Sequence, residues 1–419
     1  MTLIEFFDRD AIENIGSSLT YDPERIIFIG NDLQKMQAGA ERYRKNSFIG
    51  PETEIEYSVV GINNMTRAVD VLSEAVEKYG DCTIDLTGGS DVLLVAAGIV
   101  FERYKSKGLR IRRINISKGS AYDCDPDGNP GGGKKLPAIS VEENVRIYGG
   151  EIIWDSARDG ATHTWDMNEE FCEDIRTMWD ICRADVKKWN SFVSDLSGFV
   201  ARSSGGDCLK IRFTELSPDY GKVDEFERLL DRLAAAGLIT GYSVDGGEFV
   251  FRFRNAQIGR CLSSAGRVLE MRIYLAALEV AETDGSYTYD DALTGVTVDW
   301  DGITGFSGEQ NGVENEIDVV MTRGMVPFFV SCKNGNVDVN EIYKLHTVST
   351  RFGGKYAKKI LILACPDQNQ EANGSYFKTL AKELDVRVVD SFEEKYITEL
   401  DDEELRECVR SFKTADNKQ

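Results

Sequence analysis

Histidine is nearly absent from this 419-residue chain; only His163 and His346 occur. That leaves little room for imidazole general bases or a Ser-His-Asp triad. Nine cysteines are scattered from Cys82 to Cys408 without a CxxC pair. An odd count without paired spacing argues against a disulfide framework or a zinc ribbon, and for reduced thiols in a cytoplasm. No apolar run approaches the roughly 20 residues that span a bilayer, so no membrane role is expected. The start MTLIEFFDRD lacks the basic stretch and small-residue cleavage site of a signal peptide. Positive charge is also short: 49 Lys and Arg stand against 71 Asp and Glu, a net charge of −22. Proteins that coat long duplex DNA draw most of their affinity from phosphate neutralisation. Any basic surface here must therefore be local.

The chain has hydrophobic residues at 42% and charged residues at 29%, a globular balance. Its length implies two or three domains. Up to about residue 150, short apolar strands (TLIEFF, RIIFIG, CTIDL, RIRRINIS) alternate with helices such as MTRAVDVLSEAVEKYG, whose apolar positions are Met65, Ala68, Val69, Leu72 and Val76. That alternation predicts a parallel, Rossmann-like α/β layer. Residues 151–265 read as a linker with one long helix, MNEEFCEDIRTMWDICRADVKKWNSFV, then a helix and hairpin in the pattern of a winged helix. Acidic residues dominate that unit, which favours a structural spacer. From 266 to 419, a helix, three strands, a helix and a further strand predict a mixed sheet flanked by helices. The fold class is thus α/β throughout.

The stretch VENEIDVVMTRGMVPFFVSCKNG reads as a hairpin with charges inside apolar strands. Glu316 and Asp318 share one face of the first strand; Phe329, Ser331 and Lys333 share one face of the second. An unpaired buried charge is costly, so these groups should compensate one another or a cation. Either an Asp–Lys salt bridge within the sheet or a divalent-metal site with a cationic neighbour satisfies this. Carboxylate oxygens suit Mg²⁺ or Mn²⁺. Directly after the hairpin, Ile342 to Lys359 contains no acid but carries Lys344, Arg351, Lys355, Lys358 and Lys359. That run reads as a solvated helix face or as a local nucleic-acid contact.

At Thr87-Gly88-Gly89-Ser90 a strand turns into a helix. Freed N–H groups and the helix dipole favour an anion there, although the P-loop and GxGxxG spacings are absent. DCDPDGNPGGGK imitates the start of a calcium loop, but Lys134 stands where a bidentate Glu is needed and Pro130 occupies the apolar position.

The order of a helix with Glu270, a strand with Asp318, a strand ending Ser331-Cys332-Lys333 and a helix resembles the PD-(D/E)xK endonuclease-like superfamily over residues 266–390. The resemblance implies that Asp318 holds metal, Lys333 is catalytic and Glu270 is the helix acid. Ser331 departs from the usual Glu or Asp. Glu270 or Glu316 must then supply the second carboxylate, with the Cys332 carbonyl as a further ligand and Ser331 as a helper. The TGG turn resembles the ligand loop of CARF domains, whose first-strand exit completes the pocket; here that makes Asp8, Arg9 and Asp10 candidates beside Thr87, Gly88, Gly89 and Ser90. Together, the halves resemble the Card/Can nucleases of type III CRISPR systems. That family implies a cytoplasmic homodimer activated by a cyclic oligoadenylate, cyclic tetra-adenylate first. It would use Mn²⁺ or Mg²⁺ to cut single-stranded DNA or RNA held by Arg351, Lys355, Lys358 and Lys359. The rival readings are a winged-helix transcriptional regulator with an inert C-terminal domain and a ring nuclease that degrades the activator.

Overall fold

The structure, a computed structural model, describes residues 1–125, 127–154, 161–202, 208–216, 220–302, 313–365 and 374–414. Its first sheet comprises β1 (Thr2–Phe6), β2 (Arg25–Gly30), β3 (Glu54–Val59), β4 (Cys82–Asp85), β5 (Arg110–Asn115), β6 (Ser120–Cys124) and β7 (Lys134–Lys135). The order is β3-β2-β1-β4-β5-β6-β7, parallel through β5 and antiparallel beyond it. The connections carry α1 (Gly16–Tyr21), α2 (Leu33–Lys45), α3 (Met65–Tyr79) and α4 (Asp91–Tyr104). On α3, Ala68, Val69, Leu72 and Val76 are buried, which is what their spacing predicts. The α2–β3 unit escapes sequence reading because α2 is mostly polar and β3 is nowhere fully buried. Strand order reverses between β1 and β4. Doubly wound sheets bind ligands at that point, beyond the carboxyl ends of the strands.

Helix α5 (Val141–Ile147), started by a Ser140–Glu143 capping box, and β8 (Glu151–Ile152) cross to a second sheet. Three bonds fix this crossing: Ile139 N–H to Gly324 O (3.0 Å), Thr322 Oγ1 to Ile139 O (2.6 Å) and Asn144 Nδ2 to Phe352 O (2.7 Å). Residues 139–152 therefore belong, by packing, with the C-terminal sheet.

The expected long helix is two, α6 (Glu169–Arg183) and α7 (Val186–Arg202). Asp185 breaks it because its carboxylate accepts the Lys188 N–H (3.1 Å), starting a new helix. Next come β9 (Leu209–Arg212), α8 (Phe213–Leu216), α9 (Tyr220–Ala235), β10 (Ile239–Asp245), β11 (Glu248–Phe253) and α10 (Ala256–Cys261), with the strands in an antiparallel sheet ordered β10-β11-β9.

The remainder comprises α11 (Arg267–Glu279), β12 (Asp291–Asp299), β13 (Glu314–Arg323), β14 (Val326–Lys333), α12 (Val339–Gly353), β15 (Lys358–Leu363), α13 (Ser375–Glu383), β16 (Val386–Val389) and α14 (Asp402–Arg410). Its sheet runs β16-β15-β14-β13-β12-β8, a mixed arrangement with β14, β15 and β16 parallel. Residues Val268 to Ala277 of α11 are all buried, so this helix is apolar nearly all round and lies inside the core. Glu270 is carried into the interior with it. All nine cysteines are free thiols. Among the described residues, no helix is long and apolar enough to cross a membrane.

Candidate functional site

The ladder between β13 and β14 runs from Arg323↔Val326 to Val319↔Val330. One step further, Asp318 would face Ser331, and there the carboxylate replaces a backbone partner. Its Oδ2 accepts the Cys332 N–H at 2.6 Å and the Ser331 hydroxyl at 3.1 Å, and Lys333 Nζ stands 3.6 Å away. The two oddly charged strands thus converge on one oxygen. Lys333 also reaches Glu341 Oε2 at 3.1 Å. Burial pulls the lysine's pKa down, but Asp318 and Glu341 outweigh it and the net shift is upward. Lys333 is therefore a fixed ammonium that supplies positive charge and cannot act as a base at neutral pH.

Glu341, in the first turn of α12, is a site residue that sequence reading missed. Asp338 caps that helix by accepting the Asn340 N–H at 2.7 Å, and the short loop from Lys333 brings its first turn back over the end of β14. Glu341 pairs with Lys344 as well (2.8 Å), and these contacts hold its pKa down against burial, which raises it. Asp318, Ser331, Lys333, Glu341 and Lys344 line a small cavity of about 80 Å³ together with Glu316.

Glu270 approaches from α11. Burial drives its pKa up to about 8; Arg267 opposes that shift, and Asp318 and Glu316 add to it. Arg267 bridges Glu270 (2.8 Å) and Glu316 (3.0 Å). The Cys332 side chain is buried, and its thiol is pushed well above the usual range by that burial. Among the described residues no three His, Cys, Asp or Glu side chains stand close enough to cage a metal ion. The donors nevertheless fit one. They are hard carboxylate oxygens, the like charges around Glu270 already disfavour its ionisation, and Mg²⁺ commonly binds through one or two carboxylates with water and phosphate completing its shell.

At the reversal of the first sheet, the exits of β1 and β4 meet. Asp8 Oδ2 accepts the Gly89 N–H at 3.0 Å, and its Oδ1 accepts the Asp10 N–H at 3.0 Å. Gly89 has φ +94°, and a Cβ there would lie 2.6 Å from Phe6 Cβ, so only glycine fits. Thr87 is committed inward: its hydroxyl donates to Asp85 and accepts the Ile114 N–H (2.8 Å). Ser90 caps α4 through the Leu93 N–H (3.4 Å). Gly88 lies against Asp8, with room for a Cβ only 3.0 Å from the Asp8 Cβ. Arg9 is exposed. Asp10 points elsewhere, accepting the Tyr148 hydroxyl (2.6 Å) and the Lys355 N–H (2.9 Å).

The structure does not gather the expected nucleic-acid contacts into one surface. Arg351 is half-buried, donating to the Tyr148 and Trp300 carbonyls. Lys359 is buried and donates to Leu384 O at 2.9 Å. Lys355 pairs with Glu13 (2.8 Å) beside the first sheet, and Lys358 lines a separate cleft with Lys118 and Arg323. A count of charges along the sequence does not reveal which way each one points.

The architecture is of a defined class: a doubly wound sheet followed by a small antiparallel sheet and a mixed sheet with a charged hairpin. Two solved proteins share it over nearly the whole chain. Protein VC1899 from Vibrio cholerae superposes with a TM-score of 0.71 at 17% identity, covering 99% of this chain and 97% of its own. Can2 from Sulfobacillus thermosulfidooxidans, solved in complex with cyclic tetra-adenylate, gives 0.63 at 16% identity, covering 98% and 97%. The chain thus has the fold of the Can-type CRISPR-associated proteins that its sequence resembles. No family model and no curated protein sequence matches it.

Proposed function

We propose that this protein is a cyclic-oligoadenylate-activated, metal-dependent nuclease of type III CRISPR antiviral defence, working in the cytoplasm as a homodimer on single-stranded DNA or RNA. One observation carries the reading: Asp318, Ser331 and Lys333 converge where the β13–β14 ladder ends, in a fold shared end to end with a protein that binds cyclic tetra-adenylate.

In this reading residues 1–150 form a CARF-like domain whose last stretch, from Ile139, packs on the C-terminal sheet, residues 151–265 form a linker with a winged-helix-like unit that lends β8 to that sheet, and residues 266–419 form a PD-(D/E)xK-like nuclease domain. Asp318 and Glu270 are the side chains that would hold Mn²⁺ or Mg²⁺. An ion held there would supply a water of lowered pKa and positive charge for the reacting phosphate. Lys333, kept charged by two carboxylates, steadies negative charge developing on the phosphate. Ser331 and the Cys332 N–H hold the Asp318 carboxylate in one orientation.

The activator site is assigned to the crevice between the β1 and β4 exits, with Arg9, Gly88 and Gly89 nearest the anion. Its N–H at Gly89 is held by Asp8, so a phosphate there has to compete with an internal carboxylate. Pairing of two chains is supported by α4, which exposes Leu94, Val95 and Ile99 on one side. Isolated apolar residues on a surface are ordinary, but a contiguous helical stripe points to a partner.

The test is a cleavage panel of single-stranded DNA, single-stranded RNA and supercoiled duplex, with Mn²⁺ or Mg²⁺, with and without cyclic tri-, tetra- and hexa-adenylate. Cutting that needs both metal and one ring size is expected. Cutting indifferent to Asp318→Ala and Lys333→Ala would remove the assignment, and loss of the ring itself would indicate a ring nuclease.

A further inference from the structure

Arg267, the first residue of α11, is a cation of this site that no sequence pattern singled out. One arm of its guanidinium lies 2.8 Å from Glu270 Oε2 and the other 3.0 Å from Glu316 Oε1. These are the two acids from which a second metal ligand was expected. The side chain is only 18% exposed. Room for it is made on another strand. Gly295, which the β12–β13 register sets opposite Asp318, has φ +59°, and a Cβ there would stand 2.5 Å from Arg267 Nη1. Any other residue at 295 would strain the backbone and push the guanidinium away.

The charge balance around the cavity gives this placement a consequence. Four carboxyl groups (Glu270, Glu316, Asp318, Glu341) meet three cations (Arg267, Lys333, Lys344), which leaves one negative charge over when a bound cation holds all four ionised. One divalent ion turns that into a single positive charge, which one phosphodiester neutralises. Two divalent ions would leave three positive charges in a partly buried pocket, an arrangement that burial penalises.

We propose that Arg267 is a positioning residue that stands in for a second metal ion: by engaging Glu270 and Glu316 together, it limits the site to one divalent cation. The proposal rests on the metal-dependent reading above. It makes a prediction about ion count that activity does not enter.

The experiment titrates Mn²⁺ into the full-length protein without nucleic acid, following free Mn²⁺ by electron paramagnetic resonance and heat by calorimetry. Wild type should bind one ion per chain, and Arg267→Met should bind two, the second at least tenfold tighter than any second ion in wild type. Arg267→Lys keeps the charge and should stay close to wild type. Asp318→Asn should lose the ion. Two ions in wild type, or one ion in both wild type and Arg267→Met, overturns the proposal and leaves the metal reading standing. No Mn²⁺ bound by any variant removes both. Should Arg267→Met fold poorly, its Tm should rise several degrees more than wild type's on adding Mn²⁺, and an equal rise overturns the proposal.

Discussion

Asp10 and Lys355 are joined across the two large sheets: the aspartate, at the exit of the first strand, accepts the lysine's backbone N–H at 2.9 Å. The lysine's ammonium reaches Glu13, and Tyr356 donates to the same Glu13 oxygen at 2.5 Å. Asp10 also donates its own backbone N–H to Asp8, the residue that holds Gly89. The proposed activator turn and the segment that ends α12 are therefore tied by consecutive hydrogen bonds, and α12 carries Glu341 at its other end.

This joint should be intolerant of a side chain at Gly354. That residue has φ +54°, and a Cβ on it would overlap the Asp10 carboxylate. Gly354→Ala should lower stability by about 2 kcal/mol or more, through backbone strain and the clash together. Urea denaturation measures the loss. Adding Asp10→Ala should recover part of it, because the clash then has no second party; strictly additive losses would show that the two residues do not meet.

Removing the site lysine should affect chemistry far more than folding. Lys333→Met leaves Asp318 and Glu341 facing each other without their shared cation, and cleavage should fall by about 10²- to 10³-fold. Ser331→Ala removes one of two donors to Asp318 while the Cys332 N–H remains, so its loss should stay within about tenfold. Activator-dependent cleavage at saturating Mn²⁺ measures both. Equal losses for the two variants would make the serine a full member of the site.

Stability should fall as pH rises from 5 to 8.5, and Glu5 should account for part of the slope. Glu5 is fully buried on β1, and among the described residues neither carboxylate oxygen has a hydrogen-bond partner. Burial, then Asp85 and Glu13, raise its pKa well above the usual 4.5, with Arg112 opposing. A folded-state pKa above the unfolded one gives stability that is fully present below the unfolded value and is lost as pH climbs towards the folded one. Glu270, raised to about 8, acts in the same direction. Glu5→Gln should flatten the fall and gain about 1 kcal/mol or more at pH 8. An unchanged slope across urea midpoints at several pH values would show that Glu5 is already ionised in the folded protein at pH 5, with no raised pKa.

What could be read in advance follows from where charge is costly. Asp318 and Lys333 were legible because a carboxylate and an ammonium inside apolar strands need a reason. The sheet of residues 1–150 was legible because its inner strands are apolar and bounded by turns. Glu341 was not legible: NEIYKL has the composition of an ordinary solvated first turn, and only the tight return of the chain after Lys333 sets it on the site. Arg267 was hidden for the same reason, since its partners lie 3 and 49 residues away. The run from Ile342 to Lys359 misleads because its charges are spread over a helix, a turn and a strand, and two of them, Arg351 and Lys359, face inward.

That inward orientation leads to the last prediction. Lys359 sits on β15 with its ammonium on the Leu384 carbonyl and near His346 Nδ1 (3.2 Å), and burial lowers its pKa. Arg351 spans two carbonyls and lies against Phe352. Replacing either by Met strands buried acceptors and should cost about 1–3 kcal/mol of stability. Neither residue can neutralise a phosphate from where it sits, so the salt dependence of single-strand binding should not change. Lys344 is different: it is exposed, lines the cavity and, among the described residues, is held by Glu341 alone. Lys344→Met should weaken binding and reduce the slope of log K against log salt by about 0.7, the share of one phosphate contact on a single strand. Fluorescence anisotropy with an uncleavable strand at several salt concentrations separates the two cases. A reduced slope in Lys359→Met with an unchanged one in Lys344→Met would mean that the substrate lies across β15 and not along α12.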